Sequence, residues 1–161
     1  MNRELQVFNC LKGHVLIVGI GNTLRGDDGA GPALITSLKS RVRNSEKHSQ
    51  LFVMDTGEVP ENYLEKIVNL KPDTILFVDA ADFNAPPGNT RSINAEDLEQ
   101  GSFSTHNSSM TLVVDYLNRR LQAKIFLLGI QPKSLRMGEQ LSEPVEKALK
   151  NIEENIIKCM S

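Results

Sequence analysis

Four apolar runs of strand length recur along the chain, His14 to Ile20, Leu51 to Met54, Thr74 to Val78 and Lys124 to Gly129, each apolar at consecutive positions rather than alternate ones. A strand that buries both faces needs helical cover above and below, the situation of a parallel sheet between two helical layers. Helical patterns fill the gaps: Gly31 to Lys39 with Pro32 in the first turn, Glu61 to Leu70 stopped before Pro72, Ser108 to Leu121, and Glu143 to Lys158. Alternation with short links predicts right-handed crossovers and an α/β fold, a three-layer sandwich whose mostly parallel, twisted sheet carries helices on both faces. The irregular stretch Asp82 to Gln100, with Pro86, Pro87 and Gly88, predicts a loop, an edge strand at Thr90 to Ile93 and a short helix begun near Asn94. A length of 161 residues fits one domain, 1–161, in which residues 1–12 read as an N-terminal extension.

Composition removes several function classes. The net charge is −2 and there is no Trp and no basic cluster, so the chain lacks the electrostatic footprint of a nucleic-acid binder. No apolar run approaches the roughly 20 residues that a membrane span requires. The first dozen residues carry charges and lack the apolar core and small-residue cleavage site of a secretory signal, which makes a cytoplasmic location the expectation. Cys10 and Cys159 stand near opposite ends with no Cys-x-x-Cys spacing, so free thiols are expected.

The loop after the first strand run is the most informative stretch for function: Gly19 to Pro32 reads Gly-Ile-Gly-Asn-Thr-Leu-Arg-Gly-Asp-Asp-Gly-Ala-Gly-Pro. Gly21 and Gly26 are spaced as in a Walker A loop, but Asp27 and Asp28 occupy the places of Lys and Ser or Thr. Two carboxylates repel a triphosphate, whereas they suit a cation or the polarising of a water. The dinucleotide fingerprint fails as well, because after Gly19 and Gly21 the next glycine, Gly26, comes two positions late.

In an open parallel sheet the site lies outside the carboxyl ends of the strands, where strand order reverses. Three successive strand ends carry acids here: Asp27 and Asp28 after the first, Asp55 in Asp-Thr-Gly after the second, and Asp79 and Asp82 after the third. Asp27 and Asp82 also read as helix N-caps or turn formers. Asp79 abuts the apolar run Ile75 to Val78, where a bare carboxylate is costly, so it calls for a cation, a hydrogen-bond partner or a catalytic task. Thr105-His106-Asn107 precedes a helical run and sets His106 beside that helix's start. Two carboxylates and an imidazole converging on one crevice would make a three-ligand site with open positions, suited to nickel or zinc. His14 and His48 lack such company and read as structural or solvated, and Lys39, Arg41 and Arg43 read as the charged end of a helix.

Together these residues resemble the [NiFe]-hydrogenase maturation endopeptidases, which trim the hydrogenase large subunit after nickel insertion. The resemblance runs from His14 onward. It rests on the 19 to 32 loop, Asp-Thr-Gly at 55 to 57, Val-Asp-Ala at 78 to 80, Thr-His-Asn at 105 to 107 and Gly129-Ile130-Gln131-Pro132, in that order. It implies a hydrolase of aspartic type that acts on a large-subunit precursor in the cytoplasm, without nucleic acid or membrane as a partner. It implies Asp28, Asp79 and His106 as metal ligands, with Asp55 or a site carboxylate such as Asp28 as the catalytic base. The nickel is presented by the substrate, and zinc or cadmium are expected to occupy the site in vitro.

An alternative from another class is a phospho-accepting, receiver-like signalling domain using Asp27, Asp28 and Asp79. Against it, the acids follow the first strand only after the glycine loop, the last strand leads to Gln131-Pro132-Lys133 where a receiver places Lys before Pro, and His106 has no task.

Overall fold

In a computed structural model describing residues 3–100 and 107–161, the elements are α1 (Arg3–Asn9), β1 (Val15–Gly19), α2 (Ala30–Arg43), β2 (Leu51–Asp55), α3 (Leu64–Leu70), β3 (Thr74–Ala80), β4 (Thr90–Asn94), α4 (Asn107–Arg120), β5 (Lys124–Ile130) and α5 (Glu143–Cys159). The five strands form one sheet in the order β2-β1-β3-β5-β4. All neighbours pair in parallel except β4, which runs antiparallel to β5 along one edge. The expected α/β sandwich is present.

Alternation of side chains along the central strands sorts the core into two clusters, one on each face of the sheet. Val15 and Ile17 of β1 with Leu76 and Val78 of β3 meet Leu34, Ile35 and Leu38 of α2 and Val145, Ile152 and Ile156 of α5. Leu16 and Val18 with Ile75 and Phe77 meet Ile67 of α3 and Met110, Val113 and Leu117 of α4. Two details differ from the sequence reading. Phe52, Val53 and Met54 of β2 are only half-buried, because β2 has a strand neighbour on one flank alone and forms the second edge of the sheet. The first dozen residues contribute α1, and Val7, Phe8 and Leu11 are buried in the same cluster as α2 and α5.

The helices follow their local signals with small shifts. Residues Pro60–Tyr63 make a 3₁₀ turn before α3, and Lys71 closes that helix in the left-handed region at φ 49° just ahead of Pro72. The basic residues at the end of α2 occupy its last turns, where they oppose the helix dipole, and Arg41 lies 3.8 Å from Glu153 of α5. Among the described residues, no helix is long and apolar enough to cross a membrane.

What brings α2 to the end of the central strands is Gly31. A Cβ built there would stand 2.4 Å from the Ile20 carbonyl oxygen, 2.6 Å from the Ile20 nitrogen and 2.7 Å from the Val78 carbonyl oxygen. All three are backbone atoms that no rotamer change can move aside. Gly31→Ala is therefore expected to lower stability by about 1–3 kcal/mol, the range for overpacking a tight core. The check is urea unfolding, in which the midpoint should fall with the slope unchanged.

Candidate active site

The order β2-β1-β3 places a topological switch point between β1 and β3: the connection after β1 leads to β2 on one flank, and the chain then returns to add β3 on the other. Loops leaving adjacent strands in opposite directions open a crevice there. Backbone bonds fix the crevice walls, since Ile20 N–H donates to the Val78 carbonyl at 2.9 Å and Thr56 N–H to the Gly19 carbonyl at 3.1 Å. Gly19 is in register with Asp55 on one side and Val78 on the other, so Asp55 and Asp79 end up at neighbouring levels of the same sheet edge.

Asp28 sits in a 3₁₀ turn, Gly26–Gly29, directly before α2 and is 1% exposed. Its Oδ2 accepts the Asn22 N–H at 3.0 Å, closing the loop on itself. Its Oδ1 is buried and has no hydrogen-bond partner among the described residues. A buried carboxylate oxygen without a donor carries a desolvation penalty of about 1–3 kcal/mol or more, so such an atom calls for a ligand. Asp79, next to last in β3, is 5% exposed. Asp55, the last residue of β2, is exposed and accepts the Gly57 N–H at 2.9 Å. The structure thus gathers Asp28, Asp55 and Asp79 at the carboxyl ends of three adjacent strands. His106, the remaining expected site residue, lies outside the described residues; α4 begins at the next position, Asn107.

The first acid of the sequence pair points elsewhere. Asp27 is 1% exposed, and its two oxygens accept the Lys133 N–H at 2.8 Å, the Ser134 N–H at 3.3 Å, the Ser142 N–H at 2.7 Å and the Ser142 hydroxyl at 2.8 Å. It holds the segment between β5 and α5, more than a hundred residues away along the chain. Both oxygens are thus engaged by donors of that segment, and the receiver-like alternative, which needs Asp27 beside Asp28 and Asp79 at one ion, is not supported.

Gln131 does the same work on the other side of the crevice. Its Oε1 accepts the Phe83 N–H at 2.8 Å and the Ala85 N–H at 3.3 Å, while its Nε2 donates to Asp82 Oδ1 at 3.1 Å. The loop after β3 is thereby tied to the end of β5. Neither connection was legible as such. Gln131 stood out only as part of a motif, and nothing near Ser142 signals a partner at position 27.

Asp82 proves to be a turn former: its Oδ1 also accepts the Asn84 N–H at 3.0 Å. That backbone bond, and then the Gln131 amide, hold its carboxyl below the ordinary value of 3.8.

Comparison with known proteins supplies the family and the fold. The HycI hydrogenase maturation protease family model matches residues 32–159, a span that contains Asp55, Asp79 and His106. The chain belongs to the hydrogenase maturation protease family. The hydrogenase 3 maturation protease of Escherichia coli K12 is 32% identical over 138 residues that cover 85% of each chain. The crystal structure of a [NiFe] hydrogenase maturation protease from Thermococcus kodakarensis superposes with a TM-score of 0.78 at 28% identity, covering 96% of this chain and 98% of that one. The solution structure of an Escherichia coli endopeptidase of the same family gives 0.74 at 30% identity over 87% and 86%.

The Asp82 interactions have a pH signature. A carboxyl whose folded value is lowered contributes stability above its unfolded value and loses it as pH falls through the folded one. Wild type should therefore be more stable than Asp82→Ala at neutral pH, with the gap closing below the ordinary carboxylate range. Urea midpoints of both proteins across that window check the sign.

Proposed function

We propose that this protein is the endopeptidase that removes the C-terminal extension of a [NiFe]-hydrogenase large-subunit precursor after nickel insertion. The observation that carries the reading is the buried Oδ1 of Asp28, without a donor among the described residues, at the switch-point crevice on the sheet edge it shares with Asp55 and Asp79, in a chain of this family.

The nickel belongs to the substrate. Asp28, Asp79 and His106 fill its open coordination positions when the precursor docks, so recognition depends on whether the subunit is loaded rather than on peptide sequence alone. The donor set is hard oxygen plus imidazole, which zinc or cadmium can also take up in vitro. With the precursor anchored, a carboxylate acts as general base: it takes a proton from water as the oxygen attacks the scissile carbonyl, and returns that proton to the departing amine. Asp55 suits this role because it is exposed at the crevice and not buried against the metal position; Asp28 is the second candidate. On this reading the enzyme is of aspartic type and works in the cytoplasm, where the precursor is assembled.

Processing, followed as a mobility shift of the large subunit, should require the nickel-loaded precursor. Asp28→Ala and Asp79→Ala should abolish it together with precursor pull-down. Asp55→Asn should retain pull-down and slow the cut by about 10² to 10⁴, the usual cost of a lost general base. Efficient cutting of a nickel-free precursor would refute metal-gated recognition. Calorimetry adds an independent check: cadmium should bind the isolated protein, and His106→Ala should bind it more weakly.

A further inference from the structure

We infer that Asp27 is the positioning residue of this site: it locks the β5–α5 segment onto the β1 loop and thereby fixes where Asp28 stands. The inference rests on the functional reading above and deepens it.

The segment from Gln131 to Ser142 lies between β5 and α5 and contains no helix or strand of its own. It is nevertheless sewn to the β1 loop along its length. Asp27 N–H donates to the Ser134 carbonyl at 2.9 Å, Gly26 N–H to the Glu139 carbonyl at 3.1 Å, and Gly138 N–H to the Leu24 carbonyl at 2.8 Å. The two backbones approach so closely that a Cβ at Gly26, whose φ is +54°, would stand 2.7 Å from the Ser134 carbonyl oxygen. At the centre is the Asp27 carboxylate with its four donors.

Charge as well as shape is needed at this position. Among the described residues, every hydrogen bond of the Asp27 carboxylate is accepted from a donor, so an amide of the same size would turn its NH₂ toward an N–H. Ser142 is the N-cap residue of the 17-residue helix α5, yet its hydroxyl makes no cap bond to its own helix and donates to Asp27 instead. A distant carboxylate therefore sits at the amino end of α5, where the helix dipole favours negative charge.

The consequence for the site follows from chain continuity. Asp28 is the next residue in the same 3₁₀ turn, and the Asn22 N–H bond to its Oδ2 reports its position. Release of the segment frees the turn on the side away from the sheet. Leu24 and Met137, both exposed large apolar side chains flanking the Gly138 to Leu24 bond, would shift with it.

The test is Asp27→Asn, studied by amide hydrogen exchange under conditions where the protein is fully folded. Exchange should quicken by about 10-fold or more at Lys133, Ser134 and Ser142, the lost donors, and also at Asn22, whose only role in the experiment is to report Asp28. Processing of the nickel-loaded precursor should fall by about 10- to 100-fold, the range for a lost outer-shell partner. Faster exchange at the three donors with wild-type protection at Asn22 would overturn the inference, leaving Asp27 a loop anchor alone.

Should Asp27→Asn fail to fold, Ser142→Ala and Ser142→Thr decide. Loss of the hydroxyl should quicken Asn22 exchange, and Thr, which keeps it, should restore protection; equal behaviour of the two variants contradicts the inference. Failure of wild type to process the precursor would refute the proposed function, while the exchange measurements still judge Asp27.

Discussion

The amino end of α2 lies against the backbones of β1 and β3 at a distance that only a residue without a side chain permits. Gly31 makes that contact, with the Ile20 and Val78 carbonyl oxygens both closer than a Cβ tolerates. The rest of the site depends on it. A helix started even one side chain farther out would lift the preceding 3₁₀ turn away from the sheet, and Asp28 with it. The close approach also explains why the loop from Gly19 to Gly31 is built largely from small residues: it has to fold back within the space between two strand ends.

Around this contact the carboxyl edge of the sheet carries polar side chains with unequal tasks. Asp27 and Gln131 are engaged by several hydrogen bonds and act as ties between loops, the first joining the β1 loop to the segment before α5, the second joining the β3 loop to the end of β5. Among the described residues Asp28 keeps one oxygen free of donors, and Asp55 stands exposed. Environment, not residue type, separates the three aspartates. Adjacent aspartates in one turn can thus differ, one an internal strut and the other with an oxygen left without a donor among the described residues, because a 3₁₀ turn sends consecutive side chains about a third of a revolution apart.

Much of this was legible in the sequence, and the limits have physical causes. The central strands β1 and β3 declared themselves because burial on both faces leaves an unbroken apolar run, and the position of the acids followed from the rule that sites form at strand carboxyl ends. The same apolar signal misled for Leu51 to Met54: a half-covered edge strand and a central strand can share a composition, and only the pairing order distinguishes them. Val7, Phe8 and Leu11 were overlooked as core because the seven-residue α1, with Leu11 beyond its end, carries too few apolar positions to show a period. The partner of Asp27 was beyond reach for a different reason. Ser142 lies 115 residues away, and a bond between a side chain and a distant backbone leaves no local periodicity or spacing behind. Asp82, by contrast, was readable as a turn former because its bond to Asn84 spans two residues.

The central claim is that the buried Oδ1 of Asp28 awaits a metal shared with Asp79 and His106. Anomalous diffraction from crystals soaked in zinc tests it directly. The account predicts one ion at the crevice between β1 and β3, with carboxylate oxygens of Asp28 and Asp79 and an imidazole nitrogen of His106 at about 2.0–2.2 Å. Zinc bound elsewhere, with Asp28 Oδ1 still lacking any partner in the soaked crystal, would contradict it.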